Sequence, residues 1–430
     1  MENYARLIAQ LKSPEVIRQL NNIYGTRNGM LVRQTLRYSR LLKKHEELVG
    51  CSKNLKLISA PGRTEIGGNH TDHNKGKVLA AAINLDALAA VTPREDNTVR
   101  IFSDGYAPLT LNLEELSPLE EEKGTTAALV RGVAAWMKEH GFQIGGFDAV
   151  INSTVAAGSG LSSSASVEVL FCAILDNLYN GDTMDYKSRG ICSQFAENVY
   201  FGKPSGLLDQ MTSSAGGLVY MDFKGENPEV RPLAFDFAAR GYALVVVNSG
   251  GSHDNLTADY AAVPKEMKQV AAFFGEEVLR PVLPERFYQS IPQIREKLGP
   301  EGDRAILRAA HFFEENRRVV GEVSALESND IPAFLKLIIE SGRSSFCYLQ
   351  NIFPDARRQE LSLALMLGEH LLNRDGAWRV HGGGFAGTTL NFVPQDRLEA
   401  FLSSMEAVFG AHSCDVLDIR PVGPACITLE

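Results

Sequence analysis

Residues 60–73, Ala-Pro-Gly-Arg-Thr-Glu-Ile-Gly-Gly-Asn-His-Thr-Asp-His, constrain the chain more than any other stretch. Gly62, Gly67 and Gly68 fall between an apolar run at 55–59 and another that begins at Val78. Glycines placed this way let a backbone turn sharply and approach a ligand closely. Arg63 offers a partner for phosphate, and Asp72 a hydrogen-bond acceptor. A polar surface loop between two strands would have the same composition, so the weight falls on what else the chain carries.

A second stretch, 156–166, holds Gly158, Ser159, Gly160 and Leu161, then Ser162, Ser163 and Ser164. It leads into an apolar helical segment at 165–178. A helix N-terminus presents unpaired N–H groups and a partial positive charge, so it suits an anion. The hydroxyls add donors, and one could ligate Mg²⁺. A single capping serine is the plainer reading, but two spaced glycines before three serines exceed what a cap requires. No Gly-x-x-x-x-Gly-Lys-Ser/Thr loop occurs anywhere.

A third stretch, 381–389, formally matches Gly-x-Gly-x-x-Gly through Gly382, Gly384 and Gly387. That fingerprint should open a helix in a βαβ unit. Here a strand-like run follows, so the spacing reads as a glycine-rich hairpin. A fourth stretch, 196–211, places Glu197 on a helix and Asp209 in the loop after it. Two separated acids suit two tasks, one to hold Mg²⁺ and one to accept a proton from a hydroxyl. Two solvated surface acids are the ordinary alternative.

The 430 residues allow two or three packed domains, and a formal net charge of -9 argues against a nucleic-acid binder. Six cysteines show neither Cys-x-x-Cys nor zinc-ligand spacing, as expected of reduced, mostly buried thiols. The N-terminus lacks a signal-peptide pattern, and the apolar tract 78–91 is interrupted by Asn84 and Asp86. A cytoplasmic protein without a membrane partner is the expectation. Residues 1–50 read as helical, 55–102 mostly as strands, 257–373 mostly as helices, and the C-terminal part as strands at 377–380, 388–393 and 414–419 with one helix among them. Strands and helices mix without regular alternation, which favours α+β. A weak composition shift suggests domains at 1–214 and 215–430.

Taken together, the four stretches resemble the GHMP small-molecule kinases, and within them the galactokinase family. Pro61-Gly-Arg63 through Gly68-Asn-His-Thr-Asp72 is similar to the galactokinase signature, 158–166 to the phosphate loop, 202–210 to the catalytic-aspartate segment and 382–387 to the C-terminal glycine motif. His253 and Tyr260 fall in a region similar to the family's sugar-contacting segment. The resemblance runs from about residue 35 to the C-terminus. It implies a two-domain α+β fold, with an N-terminal domain like the second domain of ribosomal protein S5 and a GHMP C-terminal domain. ATP and sugar would share the cleft between them.

The implied reaction moves the γ-phosphoryl group of ATP to the anomeric oxygen of galactose or a close analogue. Asp209 would be the general base, with Arg63 beside it. Gly158 through Ser164 would wrap the ATP phosphates, and Ser163 or Ser164 with Glu197 would hold Mg²⁺. Asn69, His70, Asp72, His73, Gly206 and Tyr260 would face the sugar. The protein would be a monomer or weak oligomer. Several positions depart from the family: it has Asn where this chain has Glu65, Glu where it has Asn69, and Tyr where it has His73. The family glutamate meets the sugar 6-hydroxyl. Asparagine there would tolerate a C6 carboxylate, which opens galacturonate as an alternative substrate. A sugar sensor without turnover is a further alternative, although Asp209, Arg63 and the serines are all present.

Overall fold

The computed structural model describes residues 4–50, 53–155, 160–225, 227–251, 256–373, 375–385 and 387–429. In it the opening stretch is largely strand. β1 (Lys56–Gly67) runs from the apolar segment through Pro61, Arg63 and Glu65, with bulges between Pro61 and Arg63 and between Glu65 and Gly67. Every residue after Lys56 in it is buried. Its polar side chains read as loop because their partners lie more than a hundred residues away, as with Arg63 on Asp209 and Glu65 on Arg379.

β2 (Lys77–Pro93) is likewise one strand, unbroken at Asn84 and Asp86. It pairs with β1 along one edge. Along the other it pairs with β5 (Phe147–Ser153) at its C-terminal half and β6 (Leu218–Asp222) at its N-terminal half. Its alanines favour helix intrinsically. Burial on both faces overrides that preference, because small side chains let elements pack closely on either side. Ala87, Ala89 and Val91 face the core under α4 (Thr126–Glu139) and α5 (Ser163–Tyr179). Leu88 and Ala90 alternate toward the N-terminal helices.

The first sheet has the order β12–β1–β2–β5–β3–β4, where β3 is Thr98–Ser103, β4 is Leu109–Asn112 and β12 is Ala425–Ile427. β6 and then β7 (Glu229–Leu233) extend it from β2. A second, antiparallel sheet has the order β11–β8–β10–β9, with β8 at Tyr242–Asn248, β9 at Ala377–His381, β10 at Thr388–Pro394 and β11 at Cys414–Leu417. β9 and β10 form a hairpin, with Thr388 opposite His381 and Gly382 and Gly384 at positive φ in the turn. A shared core joins the sheets: Ile66, Leu79 and Ile83 of the first meet Val246, Leu390 and Phe392 of the second through Val319 and Val323 of α11 (Asp303–Glu327).

The first sheet crosses residue 215 and recovers a strand from the C-terminus, so a division at 214/215 does not coincide with a change of sheet.

The first fifty residues contain α1 (Tyr4–Gln10), α2 (Pro14–Tyr24) and α3 (Met30–Leu48). Ser13 caps α2 by accepting the Val16 N–H, with Pro14 at the first helical position. These helices are tied to the sheet through Asp86, which is fully buried in β2. Its carboxylate accepts from Tyr24 Oη (2.5 Å), Arg37 Nη1 (2.5 Å), Arg420 Nη1 (3.3 Å) and Ser59. Burial alone would raise its pKa, but the two guanidinium groups and these hydrogen bonds hold it below the usual range. Among the described cysteines Cys172 and Cys192 are buried as expected, whereas Cys347 is exposed and Cys414 and Cys426 are intermediate. No described helix is long and apolar enough to cross a membrane.

Candidate active site

A cleft of about 1570 Å³ opens beside β1. It exceeds the ~300–1,000 Å³ usual for one small ligand, so it has room for two. One arm is apolar, formed by Ile101, Leu109, Leu129, Ile151, Val167 and Phe171. The other is polar and contains His70, Asp72, His73, Gly206, Tyr260 and the turn at 382–384. Arg63, Ser162 and Asp209 stand in its lining as well.

Asp209 sits in the first turn of α7 (Leu208–Ala215), where the helix dipole favours a negative charge. Arg63 Nε donates to its Oδ1 at 2.7 Å and Ser162 Oγ to its Oδ2 at 2.5 Å. Burial pushes the Asp209 pKa up, but the Arg63 charge, both hydrogen bonds and Lys203 outweigh it, and the carboxyl lies below its ordinary value. Arg63 Nη1 also donates to the Gly160 carbonyl at 2.5 Å, and its backbone N–H to the Leu161 carbonyl at 3.2 Å. A Cβ at Gly62 would lie 2.9 Å from that Leu161 oxygen, so glycine there lets the serine loop dock on β1.

Ser163 and Ser164 open α5 and line the cleft with their hydroxyls near its free N–H groups. Ser162, just before them, is in the left-handed region at φ 60°. Leu161 is 1% exposed and belongs to the core shared by the two sheets, so only its backbone can serve a ligand. Gly158, Ser159 and His253 lie outside the described residues. Glu197 is buried, with Oε1 3.4 Å from Ser164 Oγ and 2.9 Å from Lys203 Nζ, and Oε2 accepting from Gln210 at 2.7 Å. Glu168 joins the same cluster through Gln210, and its Oε1 has no partner among the described residues. Hydroxyl and carboxylate oxygens are hard donors of the type Mg²⁺ takes, and the unpartnered Glu168 oxygen beside them fits a cation in this corner.

His70 stands on the cleft wall at φ 57°, with Nε2 3.0 Å from the Gly383 carbonyl. Burial lowers its pKa to about 4, so it is neutral at physiological pH. Asp72 faces Gly206 so closely that a Cβ there would lie 2.0 Å from Asp72 Oδ2. Tyr260 Oη donates to the Gly384 carbonyl at 3.0 Å, and its ring packs edge-on against Phe385. His73 lines the same arm, half-buried.

Asn69 departs from the expectation that it meets the sugar. It is fully buried and all four of its hydrogen-bonding positions are used within the protein. Its NH₂ donates to Glu65 Oε1 (2.8 Å) and the Gly382 carbonyl (2.6 Å), and its Oδ1 accepts from Asn351 (2.8 Å) and Ser345 (3.3 Å). A C6 carboxylate would need a free amide in the cleft, and this amide is spent. The acid one strand step beyond Arg63, Glu65, lines the cleft instead.

Two features went unremarked in the sequence. Lys203 reaches the buried Glu197 from the loop after it, and its place next to Gly202 in the fourth stretch was the available signal. The apolar arm is assembled from β3, β4, β5, α4 and α5, and no local pattern marks it.

The galactokinase galactose-binding signature matches residues 43–93, and the GHMP kinases N terminal domain matches residues 128–217. The chain is 32% identical to a galactokinase of Streptomyces coelicolor over 86% of this chain and 92% of that one. It is 31% identical to one of Glaesserella parasuis over 80% and 87%. The fold resembles Lactococcus lactis galactokinase complexed with galactose, with TM-score 0.78, 24% identity and coverage of 90% and 99%. Methanococcus jannaschii mevalonate kinase shares it at TM-score 0.62, 15% identity and coverage of 85% and 99%.

Proposed function

The chain belongs to the galactokinase family of the GHMP kinases, and from that premise we propose that Asp209 takes the proton from the anomeric hydroxyl of galactose as the γ-phosphoryl group of ATP moves to that oxygen. The protein is an ATP-dependent sugar kinase. The observation that carries the role of Asp209 is its position. The carboxylate lies where the serine loop, through Ser162, and the polar arm of the cleft meet.

Phosphoryl transfer mainly needs positioning and charge neutralisation. The apolar arm accommodates the adenine ring, and the α5 N-terminus with Ser163 and Ser164 receives the phosphates. Arg63 keeps Asp209 ionised and presents a cation beside the transferring group. His70, Asp72, His73, Gly206 and Tyr260 form the sugar wall. Ser164 and Glu197 would hold Mg²⁺, with Ser163 in reach of the same corner. When bound, the ion supplies positive charge against the phosphates. A cytoplasmic setting, where ATP is supplied, follows from this reading.

The test is ADP release with Mg·ATP against galactose and galacturonate in parallel, for wild type and Asp209→Asn. Galactose should exceed galacturonate, since Glu65 stands in the cleft lining and either repels a C6 carboxylate or must take up a proton to admit it. Asp209→Asn should lower kcat by ~10²–10⁴-fold with ATP binding retained. Wild-type turnover in that variant would remove Asp209 from the role of base.

A further inference from the structure

We propose that Glu65 is the residue of this chain that accepts a ring hydroxyl of the sugar and thereby selects it. The inference deepens the kinase reading above and rests on it. Arg63 and Glu65 are two residues apart on β1, so their side chains leave the same face of the strand. No bulge intervenes: Arg63, Thr64 and Glu65 pair in unbroken register with Ala82, Ala81 and Ala80. Glu65 therefore emerges about 7 Å along the strand from the residue that holds the base, a spacing of the order of a hexose ring.

The carboxylate is held at one end only. Oε1 accepts from Asn69 Nδ2 at 2.8 Å and from the fully buried Arg379 Nη2 at 3.0 Å. Oε2 receives no hydrogen bond from any described residue, although Glu65 is only 6% exposed and stands in the cleft lining beside His70 and Asp72. That oxygen opens into the cleft without a protein donor, so a sugar hydroxyl can donate to it in exchange for solvent. The two anchors fix its direction, as a specificity contact requires. Burial, set against the opposing charges of Arg379 and Arg63 and the Asn69 hydrogen bond, leaves the group at about 7 without such a donor.

The experiment measures kcat and KM for galactose and for its 2-, 3-, 4- and 6-deoxy derivatives, in wild type and in Glu65→Gln. Glutamine keeps the volume and an acceptor for Arg379, and Glu65→Ala serves as a second variant. Thermal melting and ATP binding verify that each is folded. In wild type one deoxy sugar should lose roughly tenfold to hundredfold in kcat/KM through the hydroxyl that meets Glu65. In the variants galactose should fall by a similar factor, mainly in KM, and that one deoxy sugar should fall little further. If the variants weaken all five sugars alike and every deoxy penalty survives, Glu65 has a structural role and the proposal is overturned. Wild type inert toward galactose would instead sink the kinase reading, and the assignment of Glu65 with it.

Discussion

At the residue scale, glutamate stands at 65 and asparagine at 69, where the resemblance to the galactokinase signature implies the reverse. Each departure was legible in the sequence, but their relation was not. It is carried by a 2.8 Å hydrogen bond across four residues and by Arg379, more than three hundred residues away. The pair makes its own prediction. Asn69→Glu places a second carboxylate against Glu65 in a buried setting and removes the donor to the Gly382 carbonyl. It should cost roughly 3 kcal/mol or more of stability. Combining it with Glu65→Asn restores one acid and one amide and should recover most of that loss in a denaturant melt. A double variant whose loss equals the sum of the two single losses would show that the positions are not coupled.

At the element scale, the sequence was most informative where structure is local and least where it is not. The hairpin of β9 and β10 and the helices from 257 onward follow from periodicity and glycine placement. The polar half of β1 was hidden because its residues are satisfied by distant elements, and β2 looked interrupted because Asn84 and Asp86 fall in an alanine-rich run. Glycines in such elements record contacts that only the folded chain reveals. Gly206, in the loop before α7, is the clearest, because it leaves room for the Asp72 carboxylate. Gly206→Ala should push Asp72 out of place and raise the sugar KM about tenfold or more, while KM for ATP stays unchanged. The melting temperature should move by less than ~2 °C, since the loop is only half-buried and a surface change costs ~0.5 kcal/mol or less. An unchanged sugar KM would show that Asp72 has no part in holding the sugar.

At the scale of the whole molecule, a buried charge cluster ties the first sheet to α11 and to the second sheet. Glu65 comes from β1, Glu315, Arg318 and Glu322 from α11, and Arg379 from β9. Arg379 pairs with Glu65 and Arg318 with Glu315, which also accepts from Ser341 and the Gly68 N–H. Glu322 is left over: both its oxygens lack partners among the described residues, and burial together with the Glu315 charge raises its pKa to about 8. Gly67 is needed beside it, because a Cβ there would lie 1.9 Å from Glu322 Oε2. Glu322 is therefore protonated in the folded state at neutral pH and ionised in the unfolded one. A group whose pKa rises on folding contributes its stability fully below the ordinary carboxylate range, near 4.5, and loses it as pH climbs through about 8. The loss is about 1.4 kcal/mol per pH unit across that window. Glu322→Gln keeps the shape and removes the titration. Its melting temperature relative to wild type should climb steadily from pH 5 to pH 8 and level off above. A difference that stays constant with pH would mean that Glu322 is already ionised in the fold. The cluster would then carry three negative charges against two positive ones at the junction of the two sheets, an arrangement that burial makes costly unless a further cation reaches it.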